Sequence, residues 1–286
     1  ILMKNKIALG TAQFGIKYGI NNYKGIPSDN QILDILNYAF NNGIETLDTA
    51  IAYGNSQEKI GKLSKHSFKI VSKFSGIDNF NDLERELKKS LTQLQIDKLY
   101  GFIFHKANEL IDNPKIWYFL EKLKNLNKVE KIGFSIYDKN ELDEIFDLGF
   151  YPDIVQLPYS ILDRSLENYL VELKKHNIEI HVRSVFLQGL YFKEINKIPK
   201  KLIPLKPYLK KLHQICVSND ISMASLALNF VNQNRNIDKI VIGAESMLQL
   251  KENISAINFN LKNELISLIY EINVLEKELL KPINWN

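Results

Sequence analysis

Residues 43–61 read GIETLDTAIAYGNSQEKIG. The stretch opens on a short apolar run, Thr46–Leu47, and that run ends on Asp48. Tyr53 follows five residues later, and Ser56 to Leu63 then carries helical periodicity. A strand that delivers one polar group and passes into a helix is a β/α unit. The next two strand-like runs have the same form. Lys69–Ser72 is followed by Lys73, and Tyr100–Phe104 by His105.

Working outward, the unit recurs along the chain. Further strand candidates are Ile7–Leu9, Lys131–Phe134, Ile154–Gln156, Ile178–Val182 and Ile240–Ile242. Helix-period segments alternate with them. Ser28 to Asn41 opens with Ser28 and Gln31 at capping-box spacing. Asn81 to Leu94, Pro114 to Leu126, Asn140 to Leu148, Leu166 to His176, Ser222 to Gln233 and Met247 to Asn253 follow. Eight strands alternating with eight helices predict an α/β fold, a (β/α)8 TIM barrel. No Gly/Ser/Pro-rich linker divides it, so one domain over residues 1–286 is expected. Two segments stand outside the alternation. Lys193 to Val217 is a long connection holding Pro199, Pro204 and Pro207, and Asn263 to Leu280 reads as a terminal amphipathic helix before PINWN. Met3 reads as the initiator.

The bulk composition narrows the function classes. With 45% apolar and 24% charged residues the chain can bury one large core. The net charge of +4 is spread over 37 basic and 33 acidic residues, with no basic block interleaved with aromatics, so no nucleic-acid footprint is read. One cysteine, Cys216, excludes a disulfide framework and reads as a buried small hydrophobe. No apolar run approaches a membrane span and no signal-peptide pattern is present, so a cytoplasmic location is expected. No Cys/His cluster has metal-ligand spacing.

In such a barrel the chemistry sits at the carboxyl ends of the strands. Asp48, Lys73 and His105 fall at three successive strand ends, with Tyr53 in the loop after the first. A nearby ammonium lowers a phenol's pKa, and a carboxylate can hold that ammonium in place. A histidine can donate to a substrate oxygen or relay the proton. The four together can protonate a developing alkoxide, and the electron pair must come from a cofactor.

These motifs resemble those of the aldo-keto reductases: residues 43–61, VSK at Val71–Lys73 and FIFH at Phe102–His105. The resemblance covers nearly the whole chain. It implies an NADPH- or NADH-dependent oxidoreductase that reduces an aldehyde or ketone to an alcohol, reversibly. By the resemblance Tyr53 is the proton donor, Lys73 depresses its pKa, Asp48 pairs with Lys73 and contacts the nicotinamide ribose, and His105 orients the carbonyl.

The resemblance also implies a cofactor site. GTAQFG (Gly10 to Gly15) places Thr11 by the ribose. GFSIY (Gly133 to Tyr137) and DIVQLPYS assign Ser135 and Gln156 to the carboxamide, with Ile136 where an asparagine is common. HVRSVFLQGL puts Arg183 where a nicotinamide-stacking tyrosine is common. Its guanidinium could stack on the ring or meet an anionic substrate. Ser184, Leu187 and Gln188 follow the pyrophosphate. IGAESMLQLKENI brings Gly243, Glu245, Gln249, Glu252 and Asn253 to the adenosine end. Glu245 and Gln249 stand where arginines often bind a 2′-phosphate, which leans toward NADH or dual use.

The aromatic candidates for the substrate cup are Phe14, Tyr18, Phe74, Tyr137, Tyr159 and Trp285. A small-molecule carbonyl substrate is expected, with no nucleic acid or membrane partner, and a monomer or weak homo-oligomer. Two other readings are a cofactor-binding regulatory subunit with little turnover, and a lyase or epimerase using the same acid–base pair.

Overall fold

The computed structural model describes residues 6–257 and 260–285. Met3 lies outside them. Eight strands are present: β1 (Ile7–Gly10), β2 (Thr46–Asp48), β3 (Lys69–Phe74), β4 (Leu99–Phe104), β5 (Val129–Ser135), β6 (Ile154–Pro158), β7 (Glu179–Arg183) and β8 (Lys239–Gly243). Each pairs in parallel with its sequence neighbour, and β8 closes onto β1 with Gly10 opposite Gly243. Parallel neighbours need a long crossover, and helices supply it. The barrel predicted from the alternation is the barrel found.

Two apolar layers follow from the period-2 geometry of strands. Inside the barrel Val71, Ile103 and Ile154 pack on one another. Facing the helices, Phe74 packs against Phe102 and Phe104 with tilted rings at centroid distances of 4.6 and 4.7 Å. Two residues beyond each interior residue come Lys73, His105 and Gln156. A strand whose interior face is apolar below therefore presents its next inward residue at the rim.

The helices form for local reasons the sequence shows. The Ser28 hydroxyl accepts from the Gln31 backbone N–H, and the Gln31 amide oxygen accepts from the Ser28 N–H at 2.9 Å, completing the capping box. The helix it opens, Asp29–Asn41, buries Ile32, Ile35, Leu36 and Ala39 on one stripe. Cys216 is buried in the helix Lys206–Ser218, as expected. Among the described residues no helix is long and apolar enough to cross a membrane.

One helix is shorter than its periodicity suggests. Asn263 starts a helix that ends at Tyr270, not Leu280. Ile272 and Val274 are both buried, a spacing of two that belongs to extended chain. The Ile272 carbonyl accepts from Arg164 Nη2 at 2.5 Å instead of from a helical N–H four residues on.

Candidate active site

Three strand ends meet in one buried network. The Asp48 carboxylate accepts from Lys73 Nζ at 2.6 Å through Oδ1 and from Gln156 Nε2 at 2.7 Å through Oδ2. Lys73 also donates to the Thr49 carbonyl at 2.9 Å. Lys73 is 1% exposed and Asp48 3%, so the ion pair is isolated from water. The Lys73 ammonium lies 5.3 Å from the centre of the Tyr53 ring, and the His105 ring meets that ring edge-on at 5.8 Å. Asp48, Tyr53, Lys73 and His105 are thus brought together, and Gln156 joins them.

Tyr53 sits in a loop, so its position needs its own explanation. The loops after β1 and β2 touch backbone to backbone there. A Cβ on Gly15 would lie 1.8 Å from the Tyr53 carbonyl, and one on Gly54 would lie 2.4 Å from the Gly15 carbonyl. Gly54 also holds φ +56°. The loop is tied down by Ile51 N–H donating to the Lys73 carbonyl at 2.9 Å and Tyr53 N–H donating to Ala50 at 3.0 Å. Thr11, at the end of β1, donates its hydroxyl to the Asp48 carbonyl at 3.0 Å and accepts from Ser56. Two glycines without side chains therefore press Tyr53 against the rim.

The electrostatics depart from one expectation. Burial pushes the Tyr53 phenol well above its ordinary value, and the Asp48 carboxylate adds to this. The opposing charge is Arg183, so the expected downward pull of Lys73 on Tyr53 is not the dominant effect. Lys73 spends its short contacts on Asp48 and Thr49. Its own pKa is lowered by burial, with Asp48 opposing. Burial, then the Lys73 charge, brings His105 down to about 4. At neutral pH Tyr53 keeps its proton and His105 is uncharged.

A cleft of about 350 Å³ runs from this cluster across the barrel mouth. Asp48, Tyr53, Gln156 and Arg183 line it, together with Thr11, Ser184, Gln188, Gly243, Glu245, Gln249, Glu252 and Asn253, whereas Lys73 and His105 lie behind this lining. Gln249 is partly committed, its Oε1 accepting from the Glu245 N–H at 2.8 Å. The segment after β7 is strained: Ser184, Leu187 and Gln188 have φ of +64°, +45° and +53° without being glycine. Such outliers gather where backbone is aimed at a ligand.

Several positions differ from expectation. Leu187 turns its side chain into the core and is fully buried, so only its backbone serves the segment. Ser135 does not line the cleft, because Arg183 lies over it with Nε 3.4 Å from the hydroxyl. Arg183 itself stacks on Tyr137, its Cζ 4.2 Å from the ring centre. Of the aromatic candidates, Tyr18 lines the cleft. Phe14 and Phe74 are core residues, and Tyr159 is buried with its hydroxyl on Glu167. Trp285 donates to the Leu279 carbonyl at 2.7 Å and is not part of the lining.

Sequence reading missed Gln13, Asn21, Phe186 and Phe192, which also line the cleft. Gln13 fills the space a side chain on Gly243 would need. Asn21 donates to the Gly189 carbonyl at 2.6 Å and Ile20 N–H to Gln188 at 3.0 Å, so the loop after β1 is strapped onto the loop after β7. The glycines and paired asparagines of GIKYGINN are the only local signal of that strap.

Comparison with known proteins agrees with this architecture. The sequence pattern described as "Aldo/keto reductase family" matches residues 6–274. An NADH-specific methylglyoxal reductase of Escherichia coli is 26% identical, covering 93% of this chain and 98% of its own length. The uncharacterized oxidoreductase YqkF of Bacillus subtilis is 24% identical, covering 88% of this chain and 91% of its own length. Among solved structures, the holo form of the aldo-keto reductase AKR11C1 from Bacillus halodurans superposes with a TM-score of 0.76 at 20% identity, covering 95% of this chain and 94% of that one. That likeness speaks for the fold, whereas the family pattern runs from the first strand past the last. The chain belongs to the aldo/keto reductase family.

Proposed function

We propose that this protein reduces aldehydes or ketones to alcohols with NADH, and that Tyr53 supplies the proton. The carrying observation is the buried Asp48–Lys73–Gln156 network beside Tyr53, which lines the cleft, with the His105 ring 5.8 Å from the Tyr53 ring. The cleft suits a dinucleotide in two respects. Its lining joins Tyr53 to residues 243–253 on the far side of the chain's last strand, and part of its wall is a strained backbone segment fit to approach a pyrophosphate. Gln156, Ser184, Gln188 and Asn253 would hold the cofactor, with Gln156 near the nicotinamide. When bound, the dinucleotide supplies the hydride that no side chain can.

The protein's own residues do the rest. Tyr53 lines the cleft and the neutral His105 ring lies 5.8 Å from its ring, so the two would share in holding a carbonyl oxygen. Because burial keeps Tyr53 protonated, it meets the substrate as a donor, and Tyr53 Oη passes its proton to the carbonyl oxygen. The Lys73 charge, 5.3 Å from the ring, stabilises the phenolate left behind. Asp48 keeps Lys73 charged against the cost of burial.

The preference for NADH rests on the acidic residues of the cleft lining. Glu245 and Glu252 line it, and Arg183 is the only lysine or arginine among the described residues lining the cleft. A 2′-phosphate there would face carboxylates, whereas a 2′-hydroxyl could donate to one. The NADH-specific relative from Escherichia coli agrees with this preference.

The test is a titration with NADH and NADPH, followed by dinucleotide fluorescence, together with Tyr53→Phe. NADH should bind more tightly. Tyr53→Phe should lower kcat about 10²–10⁴-fold while NADH affinity stays within about threefold. Turnover by the variant at the wild-type rate, or binding of neither dinucleotide, would end this reading.

A further inference from the structure

Arg183 is a partly buried cation whose partners are all neutral. Nη2 donates to the Ile136 carbonyl at 3.0 Å, and the hydroxyls of Ser135 and Ser184 lie at 3.4 Å from Nε and Nη1. A guanidinium has five N–H donors, so two remain. Among the described residues no carboxylate lies within 4.0 Å of it. Asp163 feels its charge, yet bonds to Ser165. By contrast Lys73, Lys131 and Lys174 each meet a carboxylate. A partly buried cation with no carboxylate in bonding range gains from a ligand that provides one.

Tyr18 supplies a second donor in the same space. Its hydroxyl accepts from Gln188 Nε2 at 3.3 Å, which leaves its own proton to donate. Burial moves its pKa up to about 12, so the proton is retained. The Arg183 charge reaches Tyr18, Tyr53 and His105. Arg183, Tyr18 and Tyr53 also line the same cleft.

We propose that the carbonyl substrate carries an anionic group, a carboxylate or phosphate, which Arg183 and Tyr18 hold while Tyr53 acts at the carbonyl. The proposal rests on the carbonyl-reductase reading of the site. Stacking of Arg183 on the nicotinamide alone would leave its charge and two N–H groups unmatched, whereas an anion satisfies both.

Matched substrates test it: 4-oxobutanoate against butanal, and glyceraldehyde 3-phosphate against glyceraldehyde. In at least one pair the charged member should lead in kcat/KM by about 10- to 100-fold, and the pair that responds separates carboxylate from phosphate. Arg183→Met should collapse that ratio, and Arg183→Lys should keep part of it. Calorimetry with butyrate and with inorganic phosphate, on protein with and without NADH, should show binding at least about tenfold weaker in Arg183→Met. Equal use of charged and neutral members by wild type would overturn the proposal, as would equal loss of both in Arg183→Met. An intact substrate ratio with an altered NADH-to-NAD affinity ratio would also overturn it and give Arg183 to the cofactor. If no carbonyl is reduced and no dinucleotide binds, the reductase reading fails, and anion binding to the cofactor-free protein is still read separately.

Discussion

Asp48→Asn removes the carboxylate that neutralises Lys73 while changing almost no volume. The two groups are 2.6 Å apart, with side-chain exposures of 1% and 4%. Gln156 can turn its amide so that its oxygen meets the new Asn side-chain N–H, so that contact survives and the loss is electrostatic. Breaking a buried pair by removing one partner costs about 3–5 kcal/mol. At about 2 °C per kcal/mol for a chain of this size, Tm should fall by about 6–10 °C. The pH dependence has a definite sign. Burial already holds the folded-state pKa of Lys73 below 10.5, and Asp48 is the charge that opposes this, so the substitution lowers it further. Between the folded and unfolded values the unfolded chain binds more protons, so stability rises with pH there. The variant's deficit should therefore shrink as pH rises toward 10. Calorimetric unfolding at pH 7 and 9.5, on Asp48→Asn, Lys73→Met and the double variant, measures it. The double variant should recover most of the loss. A single variant within about 1 kcal/mol of wild type at pH 7, or a double variant no better than Asp48→Asn, would refute the argument.

Two further outcomes follow from the geometry. Gly15→Ala places a methyl 1.8 Å from the Tyr53 carbonyl. Overpacking should cost about 1–3 kcal/mol, and displacement of Tyr53 should lower kcat about 10- to 100-fold. Thermal unfolding and turnover measure both, and no change in either would mean the loops do not position Tyr53. Glu245→Gln removes a carboxylate from the cleft lining and should raise NADPH affinity relative to NADH about 3- to 10-fold, a modest figure because the site is partly solvated. An unchanged ratio of the two dissociation constants would remove Glu245 from cofactor choice.

The strand ends illustrate what short-range pattern carries. Lys73, His105 and Gln156 each lie two residues beyond an interior apolar residue on their own strand, so their arrival at the rim is a consequence of strand periodicity. The capping box at Ser28 is equally local. The terminal helix shows the limit. Helical periodicity continues past Tyr270, but the Ile272 carbonyl is taken by Arg164, a residue 108 positions away. The fate of Ser135 is likewise non-local, since the side chain that covers it comes from β7.

By itself the sequence determined the alternation of strands and helices, the barrel they close into, and the polar groups that Asp48, Lys73, His105 and Gln156 bring to its rim. These depend on periods of two and 3.6 residues, which are properties of neighbours along the chain. Only the tertiary structure decided what those groups do to one another. It gave Lys73 to Asp48 and Thr49, left Tyr53 high rather than low in pKa, and laid Arg183 over Tyr137 with no carboxylate of the described residues in bonding range. It also strapped the loop after β1 onto the loop after β7. The physical reason is that charge, burial and backbone contact depend on distance in space. Closure of the barrel sets those distances, and no window of sequence contains both partners.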